Sequence, residues 1–245
     1  MARLAFEATR RGDDVADVGG GNGAYGVSLM RQGRNVHLFD ITPEMVADSR
    51  NRAAEVEKTE GVGLFEATVA DARNLPAKKH SFDTTIAYGP FYCLQDTSSR
   101  MQMLSELKRV TKPSGSILIQ TLNRTAAVRA VMNYWPSLVT VIDWKKFMST
   151  VVMRCLPDSS ATLPIFLTAH YWSTTDEVVT ILKESRLSTV SVRSVDWPEP
   201  DRGQEGLEGS SQDVVDAWSQ VIWDYGAIDH LFSAGNTVIF TTTSD

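Results

Sequence analysis

The 245-residue chain has little cysteine, no excess of positive charge and no long apolar run, and each shortage removes a class of protein. Its two cysteines, Cys93 and Cys155, stand far apart and in no metal or redox spacing. The four histidines, His37, His80, His170 and His230, are equally scattered, so no metal site is expected. A net charge of −6 counts against a nucleic-acid groove, because neutralising phosphates takes clustered Lys and Arg. No apolar stretch approaches the ~20 residues that span a bilayer, and Met1 to Arg11 lacks the apolar core of a signal peptide. Internal repeats and low-complexity tracts are missing too. The expectation left standing is a cytoplasmic, metal-free protein that works without nucleic acid or membrane.

What is present is ordinary globular composition, with 42% hydrophobic and 22% charged residues, enough to bury the core of one α/β domain. The first half alternates short apolar runs with helical patterns, as a parallel sheet requires. Strands are expected at Val15 to Val18, Asn35 to Asp40, Gly63 to Val69, Phe82 to Tyr88 and Ser116 to Thr121. Helices are expected over 24–33, from Pro43 to about 58, and over 98–111, the last stopped by Lys112-Pro113-Ser114-Gly115. Thr42 is placed to cap the second helix, with Pro43 at its first position and Glu44 facing the positive end of the dipole. Residues 124–157 read as a helical cap over the sheet edge. Thr174 to Glu177 has the spacing of a capping box, opening a helix to about Ser185. Strands at about 188–195 and 236–243 and a helix at about 211–225 complete the chain. The fold expected is Rossmann-like: α/β, doubly wound, a seven-stranded mostly parallel sheet with a cap inserted after strand 5. Its parts are a cofactor-binding core at 12–123, the cap at 124–165 and the rest of the sheet at 166–245.

The glycine run Gly19-Gly20-Gly21-Asn22-Gly23 sits between a strand and a helix, the setting in which a ligand can approach a helix N-terminus closely. Gly21, Gly23 and Gly26 also satisfy G-x-G-x-x-G, and Asp40 ends the next strand where NAD enzymes keep a ribose-binding acid. Asp17 argues for a different ligand. A carboxylate at the mouth of the loop repels a pyrophosphate but suits a ligand carrying sulfonium and ammonium charges.

Five ordered segments resemble the class I S-adenosylmethionine-dependent methyltransferases: Val15 to Gly23, Phe39 to Met45, Ala70 to Pro76, Phe82 to Tyr88, and Leu107 to Gly115. The resemblance implies S-adenosylmethionine as cofactor and methyl transfer to a small-molecule N, O or S nucleophile. By that likeness Asp40, with Ile41 beside it, binds the ribose hydroxyls, and Asp71 accepts from the adenine amino group with the Ala72 backbone close to the ring. Asp17 and Gly19, with the strand end near Tyr88, hold the methionine portion, and Gly21 and Gly23 of the same loop belong to the cofactor-binding set. Tyr88 to Leu94 is similar to a Gly-Pro-aromatic-Tyr-His-Leu segment of one small-molecule subgroup, with Cys93 in place of the histidine. Cys93 is expected to be a buried apolar residue. Pro90 lacks the Asn/Asp-Pro-Pro-aromatic setting of enzymes that methylate DNA bases or protein glutamine. Relatives also carry a helix ahead of the segment matching Ala5 to Arg11. Without it the site is more open, is covered by another subunit, or belongs to a longer sequence.

In-line displacement at a sulfonium carbon gains rate mainly from alignment, and a general base matters only for a protonated nucleophile. His170, Tyr171 and His230 are the base candidates. Tyr134, Trp135, Trp144, Tyr171 and Trp172 gather aromatic surface near the cap, which suits an apolar or aromatic metabolite or an amine. Two other functions remain: an NAD-linked oxidoreductase, and a non-catalytic partner protein that keeps the fold.

Overall fold

The computed structural model describes residues 2–56, 61–124, 170–194, 212 and 237–244. In chain order the elements are α1 (Ala2–Glu7), β1 (Asp14–Val18), α2 (Ala24–Arg31), β2 (Asn35–Asp40), α3 (Pro43–Ala54), β3 (Phe65–Val69) and β4 (Phe82–Ala87). There follow α4 (Pro90–Cys93), α5 (Thr97–Val110), β5 (Thr111–Asn123), β6 (Trp172–Ser173), α6 (Thr175–Glu184), β7 (Leu187–Ser194) and β8 (Thr237–Ser244). The chain divides into two compact units, Met1–Gln120 with Thr180–Val190 and Phe240–Asp245, and Thr121–Val179 with Ser191–Ile239.

The sheet order is β3-β2-β1-β4-β5-β8-β7, seven strands, and among the described residues β6 adds an eighth by pairing with β5. β1, β2, β3, β4 and β5 pair in parallel. Central parallel strands are covered on both faces, which is why they read as continuous apolar runs. Val15, Ala16 and Val18 are fully buried, as are Ile86 and Ala87. On α5, Met103, Leu104, Leu107 and Val110 recur at helical spacing and are likewise buried. Asp96 caps that helix by accepting from the Ser99 amide at 2.8 Å, and Lys108 and Arg109 sit in its last turn, where the dipole favours cations.

The order of winding places the site. From β1 the chain steps outward to β2 and β3, then returns to lay β4 on the other side of β1. The C-terminal ends of β1 and β4 therefore flank the point where the winding reverses, and open α/β sheets bind ligands at that crevice.

Some local expectations need correcting. Thr42 does not cap α3 with its side chain; its own amide donates to Asp40 Oδ1 at 2.9 Å instead. Helix α3 stops at Ala54, and the whole of α1 lies in a segment with no expected helix. The segment Lys112 to Gly115 breaks the chain within β5 rather than before it. Phe82 pairs with Thr111 and Thr84 with Ser116, so four residues bulge out, with Ser114 at φ 64°. The capping box at α6 forms in both directions: the Thr174 amide donates to Glu177 Oε2 at 2.9 Å, and the Glu177 amide to Thr174 Oγ1 at 3.3 Å. The cap at 125–165 and the helix at 211–225, apart from residue 212, lie outside the described residues.

Candidate functional site

The glycine loop is tied to the end of β2. Gly19 and Gly20 amides donate to the Phe39 carbonyl at 2.7 and 3.3 Å, and the Gly21 amide donates to Asp40 Oδ2 at 2.8 Å. Gly19 has φ 67°, and a Cβ there would lie 2.6 Å from the Pro90 ring, so only glycine lets the β1 and β4 loops meet this closely. The Asp40 carboxylate is fixed by two backbone amides, one on each oxygen, and each oxygen keeps a further acceptor position.

A cleft of about 300 Å³ opens beside this junction. Gly19, Asp40, Ile41, Asp71 and Ala72 all line it, so five of the expected cofactor residues, drawn from three separate loops, meet at one place. Ile41 is 65% exposed, an apolar side chain left on the flank of the cleft. Gly21, Gly23, Asp17 and Tyr88 are not among its walls. Gly21 acts through its amide to Asp40, and Gly23 stands in the left-handed conformation just before α2.

Asp17 does not stand at the mouth of the loop as expected. It is 1% exposed and folded beneath the turn, with the Gly26 backbone as its polar neighbour. A Cβ on Gly20 would come within 2.7 Å of Asp17 Oδ2, and one on Gly26 within 2.9 Å, so two glycines make room for this carboxylate. Burial pushes its pKa up to about 7; the Gly26 backbone pulls it back, and the nearby Asp40 charge adds to the rise. Beside it the Tyr88 ring, 8% exposed, packs edge-on against Tyr25 at 5.4 Å, and its hydroxyl is buried without a partner. Burial raises both phenols above their usual range, and the Asp17 charge adds to each, so both stay protonated at neutral pH.

Sequence reasoning missed Arg73, Thr42, Gly89, Pro90 and Leu94 as walls of the cleft. It also gave Cys93 the wrong place: the residue is exposed and lines the cleft instead of packing in the core. Asp71 holds a second surprise. Arg73 grips it with its backbone amide at 2.8 Å, with Nε at 3.0 Å to each oxygen, and with Nη2 at 2.6 Å. These bonds hold the Asp71 carboxyl below the usual carboxylate range. A clasp behind the cleft steadies the segment that follows: Arg109 donates to the carbonyls of Ala77 and Leu75 at 2.7 and 2.9 Å, while Glu106 accepts the Leu75 amide at 2.7 Å.

Of the base candidates, Tyr171 is buried and His170 half-buried just ahead of β6, in the second compact unit. His230 lies outside the described residues. Among the described residues no group of His, Cys, Asp and Glu is arranged to hold a metal ion, and no helix is long and apolar enough to cross a membrane.

Reversed winding, a glycine loop leading into a helix, and an acid at the end of β2 together define a Rossmann-like domain with a nucleotide-type cleft. Residues 15–115 match the family described as Methyltransferase domain. That match takes in fewer than half of the 245 residues, and it makes this part of the chain similar to methyltransferase domains. Over 139 residues it is 30% identical to a ubiquinone/menaquinone biosynthesis C-methyltransferase of Bordetella avium, covering 55% of this chain. The chain spans about half the length of that relative, 50%. Two solved structures share the fold: a S-adenosylmethionine-dependent methyltransferase from Methanosarcina mazei (TM-score 0.64, 16% identity, 98% of this chain and 96% of that one), and a magnesium protoporphyrin IX methyltransferase from Synechocystis with bound S-adenosylhomocysteine (TM-score 0.58, 16% identity, 100% and 80%).

Proposed function

We propose that the chain binds S-adenosylmethionine in the cleft beside the glycine loop and transfers its methyl group to a small apolar or aromatic molecule. The observation that carries this is the meeting of Gly19, Asp40, Ile41, Asp71 and Ala72 around one cleft, above a buried carboxylate. Asp40, already oriented by two amides, has acceptor positions left for the ribose hydroxyls. Ile41 offers an apolar wall to the base, and Asp71 with the Ala72 backbone stands at its edge. The Gly19–Pro90 approach gives the chain of the ligand a glycine-only cradle. Asp17, with Tyr88 next to it, favours a cationic ligand end over a diphosphate, since a buried charge meets little screening.

Bound there, the cofactor supplies an electrophilic methyl carbon. The protein's part is to align an acceptor with it and to exclude water. The acceptor atom is carbon, nitrogen, oxygen or sulfur; the C-methyltransferase among the relatives adds carbon to the choices the sequence suggested. A general base is needed only where the acceptor must lose a proton.

Calorimetric titration with S-adenosylmethionine and with NAD separates this reading from an oxidoreductase. Saturable binding of the sulfonium compound with none of the dinucleotide is expected, and the reverse pattern ends the proposal. Methyl transfer from labelled cofactor to a panel of quinols, phenols and amines then separates an enzyme from a non-catalytic partner.

A further inference from the structure

Arg73 and Asp71 together raise a question of hydrogen-bond supply at the base end of the cleft. An ionised carboxylate has about four acceptor positions. The Arg73 amide and guanidinium direct four donor contacts onto Asp71, from 2.6 to 3.0 Å. Both side chains are accessible, at 40% for Arg73 and 33% for Asp71, and both line the cleft. A purine amino group reaching Asp71 therefore meets an acceptor whose positions are already taken.

The guanidinium has a second anchor that it keeps while it grips Asp71. Its Nη1 lies 3.3 Å from Ser99 Oγ at the start of α5. The bond to Asp71 raises the Arg73 pKa most, and the charge of Asp96, the cap of that same helix, adds to it. Arg73 thus lies between two carboxylates, closed onto one and within the field of the other.

We propose that Arg73 is a specificity-determining residue of the cofactor's base subsite, competing with the exocyclic amino group of adenine for the Asp71 carboxylate and turning toward Ser99 and Asp96 when the base binds. The proposal rests on the cofactor reading above. It makes the amino group the part of the base that must displace Arg73, so a purine lacking that group gains nothing from Arg73's departure.

The test is calorimetric titration of the full chain, of Arg73→Gln and of Arg73→Lys. The probes are S-adenosylhomocysteine and its analogue with hydrogen in place of the 6-amino group. Arg73→Gln is expected to bind S-adenosylhomocysteine about two- to fivefold more tightly, the range for releasing an accessible ion pair. Arg73→Lys, which keeps the charge but loses the fork, falls between. Added salt tightens binding to the unaltered chain and leaves Arg73→Gln flat. The analogue binds the unaltered chain and Arg73→Gln alike. Equal or weaker binding of S-adenosylhomocysteine by Arg73→Gln overturns the proposal, and so does an equal shift for both probes, which marks Arg73 as structural. If neither the unaltered chain nor either variant binds S-adenosylhomocysteine, the cofactor reading itself has failed.

Discussion

Replacing Asp17 with asparagine tests how the site tells a cation from an anion, because the pH dependence of binding carries the answer. The carboxylate is buried beneath the glycine turn, and burial lifts its pKa to about 7. In the free protein it is therefore about half ionised at neutral pH. A sulfonium keeps its charge at every pH and favours the ionised form, so binding expels the proton. If the bound ligand holds Asp17 fully ionised, affinity follows the ionised fraction of the free protein. That fraction is about 90% at pH 8 and about 10% at pH 6, so the affinity for S-adenosylmethionine drops roughly tenfold between them. Calorimetry in two buffers of different ionisation enthalpy reads both the slope and the released proton. Asp17→Asn flattens the slope, and S-adenosylhomocysteine, which lacks the sulfonium charge, shows a shallower one. Burial lowers the His37 pKa against the pull of Glu66, so His37→Asn is a control that must leave the slope intact. A flat profile in the unaltered chain, or the same slope in Asp17→Asn, refutes the electrostatic argument.

Three further outcomes follow from the same geometry. The raised Asp17 pKa means that ionising it costs stability: the loss builds as pH rises from about 3.8 to 7 and is complete above 7. Asp17→Asn should therefore raise the melting temperature of the ligand-free protein at pH 8, with the gain shrinking toward pH 4; a lowered melting temperature at pH 8 contradicts this. Tyr88→Phe removes a buried hydroxyl that has no partner, so the ligand-free protein should gain up to about 1 kcal/mol while S-adenosylhomocysteine binds several-fold more weakly. Unchanged binding would show that this hydroxyl never meets the ligand. Arg109→Met unfastens the Leu75 and Ala77 carbonyls and should cost about 1–2 kcal/mol in urea unfolding, discounted for partial exposure. A loss below the error of the measurement would mean that the clasp is idle.

Much of the fold is legible in the sequence because buried parallel strands carry uninterrupted apolar runs, and β1, β2 and β4 lie within a residue of where Val15-Ala16-Asp17-Val18, Asn35 to Asp40 and Phe82 to Tyr88 place them. The two-residue β6 is too short to leave a pattern. The four-residue bulge in β5 looks like an ordinary turn, since Pro113 and Gly115 serve either purpose. The joining of Asp40, Asp71 and Gly19 at one cleft was expected from ordered motifs alone. What sequence reasoning could not supply was direction. Nothing in Asp17-Val18-Gly19-Gly20 says whether the carboxylate faces the ligand or folds under the loop; the missing Cβ atoms of Gly20 and Gly26 decide it. The grip of Arg73 on Asp71 has a signal in the two-residue spacing, but an acid alone already satisfies the adenine expectation. Thr42 has the residue type of a cap, but Asp40, two residues earlier, supplies the acceptor.

The most direct measurement is a crystal structure of the full chain with S-adenosylhomocysteine. The expected density puts the ribose on Asp40, the base against Ile41 with its amino group at Asp71, and the amino-acid end beside the Gly19 turn above Asp17. Ligand density elsewhere, or a dinucleotide with its diphosphate seated on that turn, would contradict it.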